Sequence, residues 1–261
     1  MMNYLYTYLI LLSYYILWYI IAQIKNNDSL VDVAWGLGIV VSGVSSFFLS
    51  ASYSIPSMLI TGLTLIWGLR LTVYLFKRNF NKTEDYRYQS MKSKWKSNLR
   101  IQSFLKVFLL QSVINYIMAL PVILTNFLEH ESKGNLSLLL MIIGTTLFIV
   151  GFTFEVLADH LLASFKKDPN NKGKIMQKNV WKYSRHPNYF GEVTLWWGLG
   201  MISLSTMNMI SFIGLIGPAV ITYLILNITG IPLLEKRYKD HVAYQTYAKK
   251  TSRFFPMIPK K

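Results

Sequence analysis

The chain has 261 residues, 52% of them hydrophobic and only 15% charged, and its mean hydropathy is positive. A soluble domain of this length needs more polar residues to cover its core, and the absence of cysteine excludes disulfides, thiolate catalysis and cysteine-ligated metals. A net charge of +15 would suggest nucleic acid in a soluble protein; with this hydropathy it reads as basic loops facing anionic lipid, with no nucleic-acid partner.

Apolar runs near residues 4–24, 31–50, 57–76, 101–127, 136–158, 188–206 and 208–229 predict an all-α, polytopic membrane protein of about seven transmembrane helices. The first run lacks a basic n-region and a small-residue cleavage site, so it reads as a span and not as a signal peptide. The second opens with Val31-Asp32-Val33-Ala34-Trp35. Asp32 is either a first-turn acid favoured by the helix dipole or a functional acid, because charges inside spans are expensive and face cavities or partners. Arg70 in the third span is either its counter-ion, or that of Glu155, or a functional cation. Beyond that span, Arg78 and Glu84-Asp85-Tyr86-Arg87-Tyr88 mix both signs, which a purely lipid-attracting loop does not need. Pro121 and Pro218 fall inside the fourth and seventh spans, where kinks are tolerated if neighbours satisfy the freed carbonyls.

In the fifth span Glu155 and Asp159 lie four residues apart on one helix face, and Lys166 follows about two turns later. No histidine cluster supports a metal half-site there. Carboxylates that hold ribose hydroxyls or a nicotinamide amide fit better, with an ion pair between Asp159 and a loop lysine as the alternative. The sixth span is introduced by Trp181-Lys182-Tyr183-Ser184-Arg185-His186-Pro187-Asn188-Tyr189-Phe190-Gly191-Glu192. Proline suits a first helical turn, so Arg185 and His186 are expected at a helix mouth whose dipole attracts anions, with Asn188 and Glu192 on the face just inside. A tight turn near Met207–Asn208 makes the last two spans a hairpin. In the tail, Leu234, Tyr238 and Val242 recur at helical spacing among charged residues, which predicts a helix at the interface or beneath the bundle.

Charge sets the orientation. Of 27 Lys and Arg, eight lie in 77–100, seven in 159–187 and eight in 230–261, whereas the loops around 51–56 and 128–135 are nearly free of them. Seven spans put all three basic segments on one side, so the N-terminus is expected outside and the C-terminus inside. The chain reads as one integral membrane domain over 1–261, with 136–261 as its cofactor-binding half and 230–261 as a cytoplasmic tail. No Gly-x-Gly-x-x-Gly after a strand, phosphate-cradling loop, zinc motif or Ser/His/Asp arrangement is present. The Lys/Asn/Ile-rich usage suggests an AT-rich bacterial source and hence a multi-pass protein of the cell membrane, the bacterial inner membrane.

Val31 to Gly36, Trp67-Gly68-Leu69-Arg70-Leu71, Glu84 to Tyr88, Tyr183 to Glu192 and Gly230-Ile231-Pro232-Leu233-Leu234-Glu235-Lys236-Arg237 together resemble the bacterial branch of the steroid 5α-reductase superfamily, over about residues 30–259. More distant relations in that superfamily are sterol C14 reductases and isoprenylcysteine carboxyl methyltransferases. The resemblance implies a seven-helix reductase holding NADPH in a cavity of the C-terminal half. Carried over, Glu155, Asp159, Lys166, Asn171, Arg185, His186, Asn188, Tyr189, Glu192, Glu235, Arg237 and Tyr238 match its cofactor site. Arg78, Glu84, Asp85, Arg87 and Tyr88 match a loop covering the nucleotide, and Asp32 and Tyr74 are the nearest matches to the carboxylate and tyrosine that orient a substrate carbonyl.

The implied reaction is reduction of a carbon–carbon double bond conjugated to a carbonyl, in an isoprenoid, steroid-like or other lipid that enters from the bilayer. A methyltransferase using S-adenosylmethionine is the enzymatic rival, although its usual pair of adjacent tail glutamates is here Glu235-Lys236. A non-enzymatic lipid-binding or transport protein is the rival from another class.

Overall fold

The computed structural model describes residues 2–80, 82–128 and 134–260, and the described residues are mainly helical, without a β-strand. Most of the expected outer loop at 128–135 lies outside them. In chain order the helices are α1 (Met2–Lys25), α2 (Val31–Ser50), α3 (Ile55–Asn79), α4 (Tyr86–Lys92), α5 (Leu99–Ser103), α6 (Leu110–Met118), α7 (Leu120–Phe127), α8 (Asn135–Lys167), α9 (Pro187–Leu204), α10 (Ile216–Tyr223), α11 (Ile231–Arg237) and α12 (Val242–Lys250). A π segment, Phe104–Leu109, joins α5 to α6. A 3-10 segment, Met209–Leu215, leads into α10, and a second π segment, Leu224–Ile228, leaves it.

Six helical stretches among the described residues are long and apolar enough to cross a membrane: Met2–Lys25, Asp28–Ser50, Ile55–Asn79, Leu99–Met118, Asn135–Lys167 and Met209–Arg237. The protein is therefore a polytopic helical membrane protein. The stretch read as the sixth span is helical, as α9, but Asn188, Gly191, Glu192, Gly198 and Gly200 keep it below the hydropathy of the other six. The fourth span ends sooner than expected. Pro121 cannot donate to the preceding turn, so the helix breaks at Ala119 and restarts as α7 with proline in its first turn. Helix α8 is longer than expected; its 33 residues reach about 50 Å at 1.5 Å per residue, more than the hydrocarbon core requires.

The chain divides into two compact units. The first comprises residues 1–137 and 202–217, the second 138–201 and 218–261. In the first, α2 and α3 cross closely at Gly36 and Gly68, where a Cβ on Gly68 would lie 2.7 Å from the Gly36 carbonyl oxygen. With little hydrophobic drive between helices in lipid, close approach at small residues and buried polar bonds hold such pairs. Asn126 of α7 supplies such bonds, its Nδ2 donating to the Gly43 carbonyl at 3.2 Å, Ser46 Oγ at 2.9 Å and Thr61 Oγ1 at 3.2 Å. The turn expected at Met207–Asn208 is present, with Met207 in the left-handed region at φ 58°.

In the second unit, α8 and α9 meet at Gly151 and Gly191. A Cβ on Gly191 would lie 2.5 Å from both the Glu155 amide nitrogen and the Gly151 carbonyl oxygen. The tail departs from the expected amphipathic stripe. Helix α11 stops at Arg237 and α12 restarts at Val242 with His241 as its cap. Leu234 and Val242 are exposed, and the buried positions are Tyr244 and Tyr247, three residues apart on α12.

Candidate functional site

Each unit carries a cluster of charged side chains. In the first unit the segment 82–92 is bonded residue by residue to the turn between α1 and α2. Asn27 Nδ2 donates to the Lys82 carbonyl at 3.0 Å, and the Asp85 amide donates to Ser29 Oγ at 3.4 Å. The Asp28 amide donates to Glu84 Oε1 at 2.7 Å. Lys92 Nζ reaches Glu84 Oε1 at 2.7 Å and Asp28 Oδ2 at 3.1 Å. Asp32, in the first turn of α2, accepts from Arg87 Nη2 at 2.8 Å and from the Tyr88 hydroxyl at 2.6 Å. Asp85 caps α4 by accepting from the Arg87 amide at 2.9 Å, and takes the Arg87 Nε at 3.0 Å as well.

Within this cluster Asp85 and Arg87 favour each other's charged form. Burial works against the Asp85 carboxylate, yet the bonds from Arg87 hold its pKa below the ordinary value. Burial likewise works against the Arg87 cation, and Asp32 beside it overrides that and raises its pKa. Burial lifts the Tyr88 phenol well above its usual range, so it remains a donor to Asp32 at neutral pH.

In the second unit the convergence point is Glu235 on α11. Its Oε1 takes Arg185 Nη1 at 3.0 Å, His186 Nε2 at 3.3 Å and the Tyr244 hydroxyl at 3.3 Å. Its Oε2 faces Arg253 Nε at 3.4 Å. Arg185 and His186 immediately precede Pro187, the first residue of α9, at the helix mouth. They are fixed there by the later segment 251–257. The Arg185 amide donates to the Ser252 carbonyl at 2.8 Å, Ser184 Oγ to the Phe254 carbonyl at 2.7 Å, and the Met257 amide to the Tyr183 carbonyl at 2.9 Å. The Tyr247 hydroxyl bonds the Trp181 and Ser184 carbonyls. Burial lowers the His186 pKa against the opposing pull of Glu235, so the imidazole is neutral at pH 7. Arg185 Nε is buried with no hydrogen-bond partner.

One helix face inward, α8 presents Glu155 and Asp159, both buried. Asp159 Oδ1 accepts from Asn188 Nδ2 of α9 at 3.3 Å. Tyr189 stacks on His186 at 5.8 Å, and Tyr238 stacks on Tyr244 at 5.1 Å. The second unit thus gathers Arg185, His186, Tyr189 and Glu235 at one point and joins Asp159 to Asn188. Glu192 is half-buried on α9, and Lys166 sits in the last turn of α8. Asn171 bonds the Phe165 carbonyl at 3.1 Å and Asp168 Oδ2 at 3.3 Å, closing the end of α8. Arg237 is exposed as the last residue of α11.

In the first unit, Asp32, Glu84, Asp85, Arg87 and Tyr88 form one cluster. Tyr74 belongs to a different row, with the Arg70 and Arg78 guanidinium groups over its ring at 5.2 and 5.5 Å. The phenol that donates to Asp32 is that of Tyr88. Sequence reading missed Asp28 and Lys92 in the first cluster, and Tyr244, Tyr247 and Arg253 in the second. Only the clustering of tyrosines at helical spacing in 238–247 hinted at any of them. Among the described residues no group of three or more His, Asp or Glu side chains is arranged to hold a metal.

A family model described as a protein of unknown function (DUF1295) matches residues 18–251. Among curated proteins, the chain is 30% identical over 67 residues to 3-oxo-5-alpha-steroid 4-dehydrogenase 1 of Mus musculus, covering 26% of each chain. It is 32% identical over 62 residues to the enzyme of the same name from Bos taurus, covering 24% of each. It is 34% identical over 62 residues to steroid 5-alpha-reductase DET2 of Gossypium hirsutum, again covering 24% of each. The matched segment thus spans about a quarter of the length of these relatives. No solved structure matches.

Proposed function

The chain belongs to the DUF1295 family, and from that membership and its polar clusters we propose a membrane-embedded reductase that uses NADPH to saturate a carbon–carbon double bond conjugated to a carbonyl in a lipid. The observation that carries this reading is the convergence of Arg185, His186, Arg253 and Tyr244 on one carboxylate at the mouth of α9. Two guanidinium groups and neighbouring donors at a helix N-terminus are the set an anionic oxygen requires. The buried, unbonded Arg185 Nε adds a donor to that set. Farther in, Glu155, Asp159 and Asn188 offer acceptors and an amide suited to ribose hydroxyls and a carboxamide. These residues fit a phosphate-bearing dinucleotide, and the surplus of lysine favours NADPH over NADH. The relatives named as a steroid dehydrogenase and a steroid 5-alpha-reductase support a redox reaction of this class.

In this reading NADPH supplies the hydride. Arg185 and Arg253 hold its charged part, with His186 neutral beside them. Asp159 and Asn188 fix its orientation. Asp32 and Tyr74 are the candidates that would orient the substrate carbonyl; the single hydroxyl hydrogen of Tyr88 is donated to Asp32. A phenol placed toward a carbonyl oxygen stabilises the enolate that develops when hydride adds at the β-carbon. The basic segments face the cytosol, from which the cofactor enters, and the lipid arrives from the bilayer of the cell membrane.

Binding of NADPH to the purified protein in lipid nanodiscs tests the proposal. Saturable affinity is expected. Arg185→Ala should weaken it at least tenfold, because a hydrogen bond to a charged group contributes roughly 1.5–3 kcal/mol, and Glu192→Ala should weaken it in the same direction. Affinity for S-adenosylmethionine alone, or NADPH affinity unchanged in both variants, overturns it.

A further inference from the structure

In the short segment after α12, three large apolar side chains stand clear of the protein: Phe255 is 64% exposed, Met257 61% and Ile258 87%. Phe254, by contrast, is buried, with its ring edge-on to Phe190 at 5.8 Å. The segment cannot hide the exposed three by folding inward. It is fixed at both ends, through the Phe254 carbonyl to Ser184 Oγ at 2.7 Å and through the Lys260 amide to the Lys250 carbonyl at 2.9 Å. The Met257 amide, donated to Tyr183, fixes its middle.

We propose that residues 254–260 are a lipid-surface anchor, with Phe255, Met257 and Ile258 entering the boundary between headgroups and acyl chains of an anionic leaflet. Several observations favour lipid as the occupant. Within the second unit, α9 begins at Pro187 and α11 ends at Arg237, so the segment bonded to residues 183–185 lies where these helices end. The apolar phase within reach there is the bilayer itself. Lys249, Lys250 and Lys260, all exposed, supply the cations that anionic headgroups attract. Residues 230–261 carry eight Lys or Arg against two acids, Glu235 and Asp240.

The absence of native cysteine allows a direct test. Ile258→Cys, at a position too exposed to matter for folding, is spin-labelled in the full chain and placed in nanodiscs containing phosphatidylglycerol. The label should be relaxed by oxygen and be several-fold less accessible to a water-soluble nickel chelate than a label at Gln245→Cys. Replacing Lys249, Lys250 and Lys260 by Gln should raise its nickel accessibility toward that of the reference. Full nickel accessibility at 258 overturns the proposal. So does shielding that vanishes when each disc holds a single copy, since that outcome assigns the patch to a second copy of the chain.

Discussion

Glu235 has the environment of a carboxylate that organises its neighbours, since Arg185, His186, Tyr244 and Arg253 all turn toward it. Burial disfavours the charged form of His186, and Arg185 and Arg253 add to that against the opposing pull of Glu235. The consequence for pH has a definite sign. A histidine whose folded pKa lies below its unfolded value of 6.5 contributes stability that is complete above pH 6.5 and is lost as pH falls through the folded value. Asp85, also lowered, contributes above its ordinary 3.8 and loses that contribution only at still lower pH. The thermal midpoint of the purified protein should therefore fall as pH is lowered from 6.5 toward 5. His186→Gln, which cannot titrate, should flatten that part of the curve, and a midpoint that rises on acidification would contradict the assignment. Arg185, His186 and Asp32 were legible as candidates because charges near apolar runs are rare and costly. Arg253, Tyr244, Asp28 and Lys92 were not, because they reach these clusters only through tertiary contacts with residues tens of positions away.

The helices follow hydropathy, and their close contacts follow glycine. Helix α8 carries Ser137, Gly144, Gly151 and Ala158 at intervals of seven, and α9 carries Gly191 and Gly198 at the same interval. The sequence reading passed over this spacing, and the structure pairs Gly151 with Gly191 and Gly198 with Gly144. A Cβ on Gly151 would stand 2.5 Å from the Gly191 carbonyl oxygen and the Leu195 amide nitrogen, both backbone atoms that cannot turn aside. Gly151→Ala should therefore destabilise the protein by about 3 kcal/mol, the upper end of ordinary overpacking costs. Gly62 of α3 is the opposite case, since a Cβ there meets nothing within 4 Å. Gly62→Ala should stabilise by up to about 1 kcal/mol through helix propensity alone. Thermal midpoints in one detergent check both signs, and equal shifts for the two variants would refute the packing argument. Hydropathy could not disclose the break at Ala119, the π segments or the stop at Arg237. These depend on backbone hydrogen-bond choices that average apolarity does not record.

Across the whole molecule, sidedness links the polar clusters to the membrane. In the first unit the turn at Asn27–Asp32 and the basic segment 82–92 are bonded together, so α1, α2 and α3 present their connections at one end as an up-and-down arrangement requires. At the far end of the same unit, Ser57 Oγ donates to the Thr125 carbonyl at 3.1 Å and Asn3 Nδ2 to the Leu49 carbonyl at 3.0 Å. That end carries few cations. The positive-inside rule then assigns the Lys- and Arg-rich ends to the cytosol, and this holds for the basic segments at 77–100, 159–187 and 230–261 only if α9 crosses the bilayer despite its weaker hydropathy. Should α9 fail to cross, residues 230–261 would emerge on the side opposite 159–187, where the rule disfavours eight cations. Single cysteines decide the matter in a chain that has none. With a membrane-impermeant maleimide, Ser52→Cys should label in intact cells. Lys94→Cys, Lys172→Cys and Gln245→Cys should label only after the membrane is opened. Labelling of Gln245→Cys in intact cells, with Lys172→Cys protected, would leave six crossings and would be incompatible with the bonds that join Arg185 to Glu235 and Ser252.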